Sequence, residues 1–166
     1  MEVAIDLTRE DIWQFDKFLN FRTRYGQIGV AASILVYPLV YLGFQWAISQ
    51  ALGESLLRFL IVTALWIPTH FWFWKRRVKN ALSEKGSQVG NQTVGIASDR
   101  IFAKAALFEE FTLWQGVLEI AQNQDYIFVF TDIYKAYLIP KRAFSNTSEA
   151  KAFLDTAVSF WKVVQA

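Results

Sequence analysis

The chain holds one histidine and no cysteine, so thiolate and disulfide chemistry are excluded at the outset. His70 stands beside Thr69 inside an apolar run, FLIVTALWIPTHFWFW. An ionisable group at membrane depth is a functional candidate by default, and a histidine there could sense protons near neutrality. The commoner role is that of an interfacial side chain bound to water or to a carbonyl. A metal site has no second ligand at helical spacing from His70, and a Ser-His-Asp arrangement would have to recruit this same residue. Glu109 and Glu110 could form an acid/base pair, but adjacent carboxylates more often mark a solvated turn. Gly86, Gly90 and Gly95 lack the Lys-Ser/Thr ending and the following helix of a phosphate loop. No catalytic residue, metal site or cofactor is assigned, and the chain is not expected to be an enzyme.

The remaining candidates are cations and one large ring. Arg22, Arg24, Lys75, Arg76, Arg77 and Lys79 form a basic group suited to anionic lipid, each contributing about 1 kcal/mol near a negatively charged leaflet. Trp114, Lys141 and Arg142 are candidates for a partner surface. The commoner role for the ring is in a sheet core or rim, and for the two cations a solvated strand end. A formal net charge of +2 gives no case for nucleic-acid binding.

The basic residues flank two apolar runs. Residues 28–48 carry no charge over 21 positions, enough helix to cross the hydrocarbon core of a bilayer at about 30 Å. The run begins too late and extends too far for a signal peptide. Residues 59–74 form a second uncharged run, extended by Leu56 and Leu57. Prolines 38 and 68 are tolerated in such helices. Paired, the runs predict a transmembrane hairpin: helix 27–49, an external loop at 50–55, and a return helix 56–75. Lys and Arg are concentrated on one side of it, which places both termini in the cytoplasm. Tyr25, Trp46, Trp72 and Trp74 fall at the expected interfacial depths.

Residues 1–26 read as a cytoplasmic strand and helix. Val3, Ile5 and Leu7 alternate with polar residues, and Thr8 with Asp11 spaces a capping box. The helix it opens would present Ile12, Phe15 and Leu19 on one face. Residues 76–92 form a basic juxtamembrane segment and a polar linker. Within 93–166, five apolar segments separated by turn signals predict an antiparallel meander, one of them running unbroken through FTLWQGVLEIA. The strand at 3–7 is expected to join this sheet. From residue 145 the period changes to helical. Asn146 and Glu149 can cap a helix whose Ala150, Phe153, Leu154, Ala157, Val158, Trp161 and Val164 form one apolar stripe. A sheet closed by a C-terminal amphipathic helix is the plan of a pleckstrin-homology-like (PH-like) half-barrel, and other α+β arrangements stay open.

Trp114 with the alternating apolar residues after it, the strand YIFVF, and AYLIPKRAF leading into a Ser/Glu-rich helix start resemble the YcxB-like family of bacterial membrane proteins. LTREDIWQF and the two apolar runs match its layout as well. The resemblance implies two transmembrane helices, a cytoplasmic PH-like domain and residence in the bacterial inner membrane. It implies no activity. The functional expectation is therefore a membrane-anchored interaction module for a protein partner. Anionic-headgroup recognition is one alternative. Assembly is another, since Gly43 with Ala31 and Ala32 permits close helix approach and homo-oligomers.

Overall fold

Alternation of apolar and polar residues at the N-terminus produces a strand with one buried edge of side chains. In the computed structural model, which describes residues 1–49, 52–80 and 89–165, β1 (Glu2–Leu7) buries Val3, Ile5 and Leu7 and exposes the residues between them. It pairs antiparallel with β2 (Gly90–Ile96), Val3 opposite Val94, as expected of the strand at 3–7. β3 (Arg100–Ala105) and β4 (Glu109–Leu113) complete a four-stranded antiparallel sheet in the order β1-β2-β3-β4. A second antiparallel sheet holds β5 (Glu119–Gln122), β6 (Tyr126–Asp132) and β7 (Lys135–Pro140) in sequence order. The fold is α+β, with four α-helices among the described residues.

The expected single meander is thus two sheets, and FTLWQGVLEIA is not one strand. It breaks at a 3-10 turn, Trp114–Gly116, which carries the chain from the first sheet to the second. Trp114 is anchored at this break: its ring is completely buried and its indole N–H donates to Ala97 O at 2.9 Å. The Glu109-Glu110 turn is corrected too: both residues lie on β4, and the hairpin bend falls on 106–108. Glu110 takes an ion pair from Lys135.

α4 (Thr147–Gln165) starts with the predicted cap: Glu149 N donates to Asn146 Oδ1 and Ser145 N to Glu149 Oε2, both at 2.9 Å. Its stripe buries Ala150, Phe153 and Ala157 most deeply. Phe153 packs on Phe144, and the Trp161 indole N–H donates to Val117 O at 3.0 Å. The helix therefore closes over the crossover between the sheets.

These strands and α4 form one compact unit, Met1–Asp11 with Leu82–Ala166; the other is Ile12–Ala81. The second unit holds most of α1 (Arg9–Arg22), with α2 (Arg24–Ser49) and α3 (Leu52–Asn80). Thr23 ends the first helix and caps the next, its Oγ1 accepting from Gly26 N at 3.0 Å. Gly26 makes the corner possible, since a Cβ there would lie 2.2 Å from Asn20 O. In α1 burial falls on Trp13, edge-on to Trp74 at 4.9 Å, rather than on Ile12, Phe15 and Leu19.

α2 and α3 run antiparallel, because Ser33 meets His70 while Tyr37 stacks on Trp66 with centroids 4.5 Å apart. Among the described residues one helix segment, Arg24–Phe44, is long and apolar enough to cross a membrane, and only 6% of its most apolar stretch is buried. The expected external loop at 50–55 is shortened: Leu52 already belongs to α3, while residues 50 and 51 lie outside the described residues. So do residues 81–88 of the expected linker, and the side chain of Trp46.

Candidate functional site

In the sheet unit the capping box becomes the centre of a larger polar cluster. Thr8 N and Thr8 Oγ1 donate to Asp11 Oδ2 at 2.7 and 2.8 Å. The Tyr126 hydroxyl donates to Asp11 Oδ1 at 2.6 Å, and Arg142 reaches both carboxylate oxygens with two nitrogens, each at 2.6 Å. The same guanidinium donates to Asp6 O at 3.1 Å. Asp11 is 1% exposed. Burial alone would raise its carboxyl, but the Arg142 guanidinium, the Tyr126 hydroxyl and Thr8 together hold it well below the usual carboxylate range. Burial and the bond to Asp11 push the Tyr126 phenol up to about 12.

Two of the partner-surface candidates are engaged within the fold. Arg142 is engaged in a bidentate ion pair that ties the end of β7 to the start of α1. Trp114 is fully buried, so its placement on a partner surface is corrected: the ring is core. Lys141 is held by Gln122 Oε1 and Asn123 O, at 2.8 and 2.7 Å, beside a shallow cavity of about 360 Å³ under Thr147 and Lys151.

A different surface is exposed. Glu110 and Thr112 face inward on β4, where Thr112 Oγ1 lies 3.0 Å from the Tyr137 hydroxyl, so Phe111 and Leu113 project from the outer face. They are 57% and 44% exposed. Phe102 lies opposite Phe111 in the register, seated over Gly95, where any Cβ would come within 2.2 Å of its ring. Arg100 stacks on Phe111 at 5.0 Å. The alternation FEEFTL carries the signal for this outer face, but a strand read as continuing through Trp114 conceals which residues form an edge.

In the helical unit, the antiparallel pairing places the start of α2 beside the end of α3. Arg22 and Arg24 therefore share one end of the hairpin with Lys75, Arg76, Arg77 and Lys79, as their sequence positions suggest. Arg76 lies over the Trp72 ring at 5.1 Å. Trp74 is turned onto Trp13 of α1. Its indole bonds the Asp16 carboxyl, which burial pushes up.

The same end contains a groove of about 420 Å³. Gly29, Val30 and Phe73 form its apolar walls, Ser33 and His70 its inner end, and Arg77 lies at its rim. The Ser33 hydroxyl donates to Val30 O at 2.8 Å and lies 3.2 Å from His70 Nε2. Ser33 Oγ and His70 Nε2 thus lie within hydrogen-bond distance across the two helices. His70 is thereby a helix-to-helix tie. Among the described residues no group of three His, Cys, Asp or Glu side chains is placed to hold a metal ion.

Compared with known proteins, residues 96–157 match the family model described as YcxB-like protein, a stretch running from the end of β2 into α4. No curated protein and no solved structure matches the chain.

Proposed function

We propose, from the premise that residues 96–157 belong to the YcxB-like family, that the chain is a membrane-anchored interaction module that holds its sheet domain at the inner face of a bacterial membrane. The observation that carries this reading is the exposure of α2. A long apolar helix is stable in water only when packed inside a protein, yet this one is 6% buried across its most apolar stretch. A secretory leader would be removed, whereas the residues before α2 include a strand integral to the first sheet.

α3 serves as the return span. Its uncharged stretch is short for the purpose, but Lys75 to Lys79 can reach headgroups at one end, and α2 covers part of its surface. Both termini and the basic residues then lie on the cytoplasmic side. The two sheets closed by α4 constitute a PH-like half-barrel. Its role is binding rather than catalysis, and the outer face bearing Phe102, Phe111 and Leu113 is the surface offered to a protein partner. An arginine stacked on an exposed aromatic ring has the composition of an interface centre.

The test is affinity isolation of the detergent-solubilised full chain, with and without Phe111→Asp. Proteins retained by the native chain and lost with the variant support the reading. An identical set from both contradicts it. Anionic-lipid recognition is a second reading, favoured by the gathering of six cations at one end of the hairpin.

A further inference from the structure

The groove at the basic end of the hairpin has two chemically distinct parts. Its walls are apolar, formed by Val30 and Phe73, while Arg77 stands at the rim. Arg77 has no carboxylate partner among the described residues, whereas Arg76 next to it is laid over Trp72. Asn20 also borders the groove, but its amide nitrogen is bonded back to Asp16 O at 2.8 Å. Asp16 itself does not line the groove; its carboxyl is held by Trp74. Arg77 is therefore the cation available there. The wall at residue 29 borders open space, since a Cβ at Gly29 would meet nothing within 4 Å.

We infer that this groove seats one anionic phospholipid, with the lipid phosphate against Arg77 and the glycerol and upper acyl chain along Val30 and Phe73. The inference rests on the hairpin lying in the membrane, and it deepens the lipid reading from a diffuse basic surface to a single site. A guanidinium matches a phosphate in geometry and charge. A zwitterionic headgroup would bring its own cation towards Arg77. Inorganic phosphate would leave the apolar walls unfilled. Basic pockets between helices on the cytoplasmic side suit anionic headgroups for the same reasons.

The experiment is native mass spectrometry of the full chain in detergent, titrated with phosphatidylglycerol or phosphatidylcholine. One phosphatidylglycerol per chain is expected to be retained. Retention should fall about tenfold or more in Arg77→Gln, the loss expected for one charged hydrogen-bonding contact. Gly29→Leu should abolish it by projecting a side chain into the groove, where a Cβ at residue 29 meets nothing within 4 Å. Arg76→Gln should lower it by less than Arg77→Gln does. Equal loss in Arg76→Gln, equal retention of phosphatidylcholine, or retention by Gly29→Leu would each overturn the site, as would displacement of the lipid by inorganic phosphate. Purification of the chain as a monomer without detergent would instead overturn the membrane reading on which the site depends.

Discussion

Asp11 is the residue whose substitution says most about the sheet unit. A carboxylate this buried is stable only while Arg142, Tyr126 and Thr8 all bond to it. Asp11→Asn is expected to cost about 3 kcal/mol, the low end for breaking a buried pair, because the guanidinium keeps contact with water. Arg142→Lys should give an intermediate loss, since a lysine keeps the charge but not the fork. The sign of the pH effect follows from the direction of the shift. The folded-state pKa of Asp11 lies below its unfolded value, so the cluster contributes fully above about pH 4 and is lost progressively as pH falls below that. Thermal melts of the native chain and Asp11→Asn should therefore converge as the medium is acidified. Parallel curves through that range would remove Asp11 from the account. The capping half of this cluster was legible in TREDI. The partners Tyr126 and Arg142 were not, because they are 115 and 131 residues away and only tertiary packing brings them in.

Elements were legible wherever a period or a cap dominated. The N-terminal strand, the two long apolar helices and α4 with its Asn146/Glu149 start all follow from such local signals. The crossover between the sheets did not, because FTLWQGVLEIA is rich in apolar residues and carries no Pro, Asn or Asp to signal a turn. The break is held by the buried Trp114 ring and its hydrogen bond to Ala97, a tertiary contact invisible in the spacing. α4 is tied to that crossover by the Trp161 indole. Trp161→Phe keeps most of the apolar contact and leaves Val117 O without its donor, so it should cost about 1 kcal/mol. Amide exchange should then accelerate in α4 more than in β6. Uniform acceleration would mean that the helix and sheets open together rather than at this tie.

For the whole molecule, composition already carried the central inference: 54% apolar residues and 17% aromatic exceed what a sheet domain of this size can bury. The structure gives that excess a location, the outward faces of α2 and α3, where Val36, Leu39, Val40, Leu60 and Leu65 are all more than half exposed. The absence of cysteine makes the decisive measurement simple. Single cysteines introduced at Lys17, Ser55 and Ser98 can be challenged with an impermeant maleimide in intact cells and again after permeabilisation. Ser55→Cys should react in intact cells, while Lys17→Cys and Ser98→Cys should react only once the inner membrane is opened. If all three positions were labelled alike, or if the chain remained in solution after the membranes were removed, the hairpin would not span the bilayer.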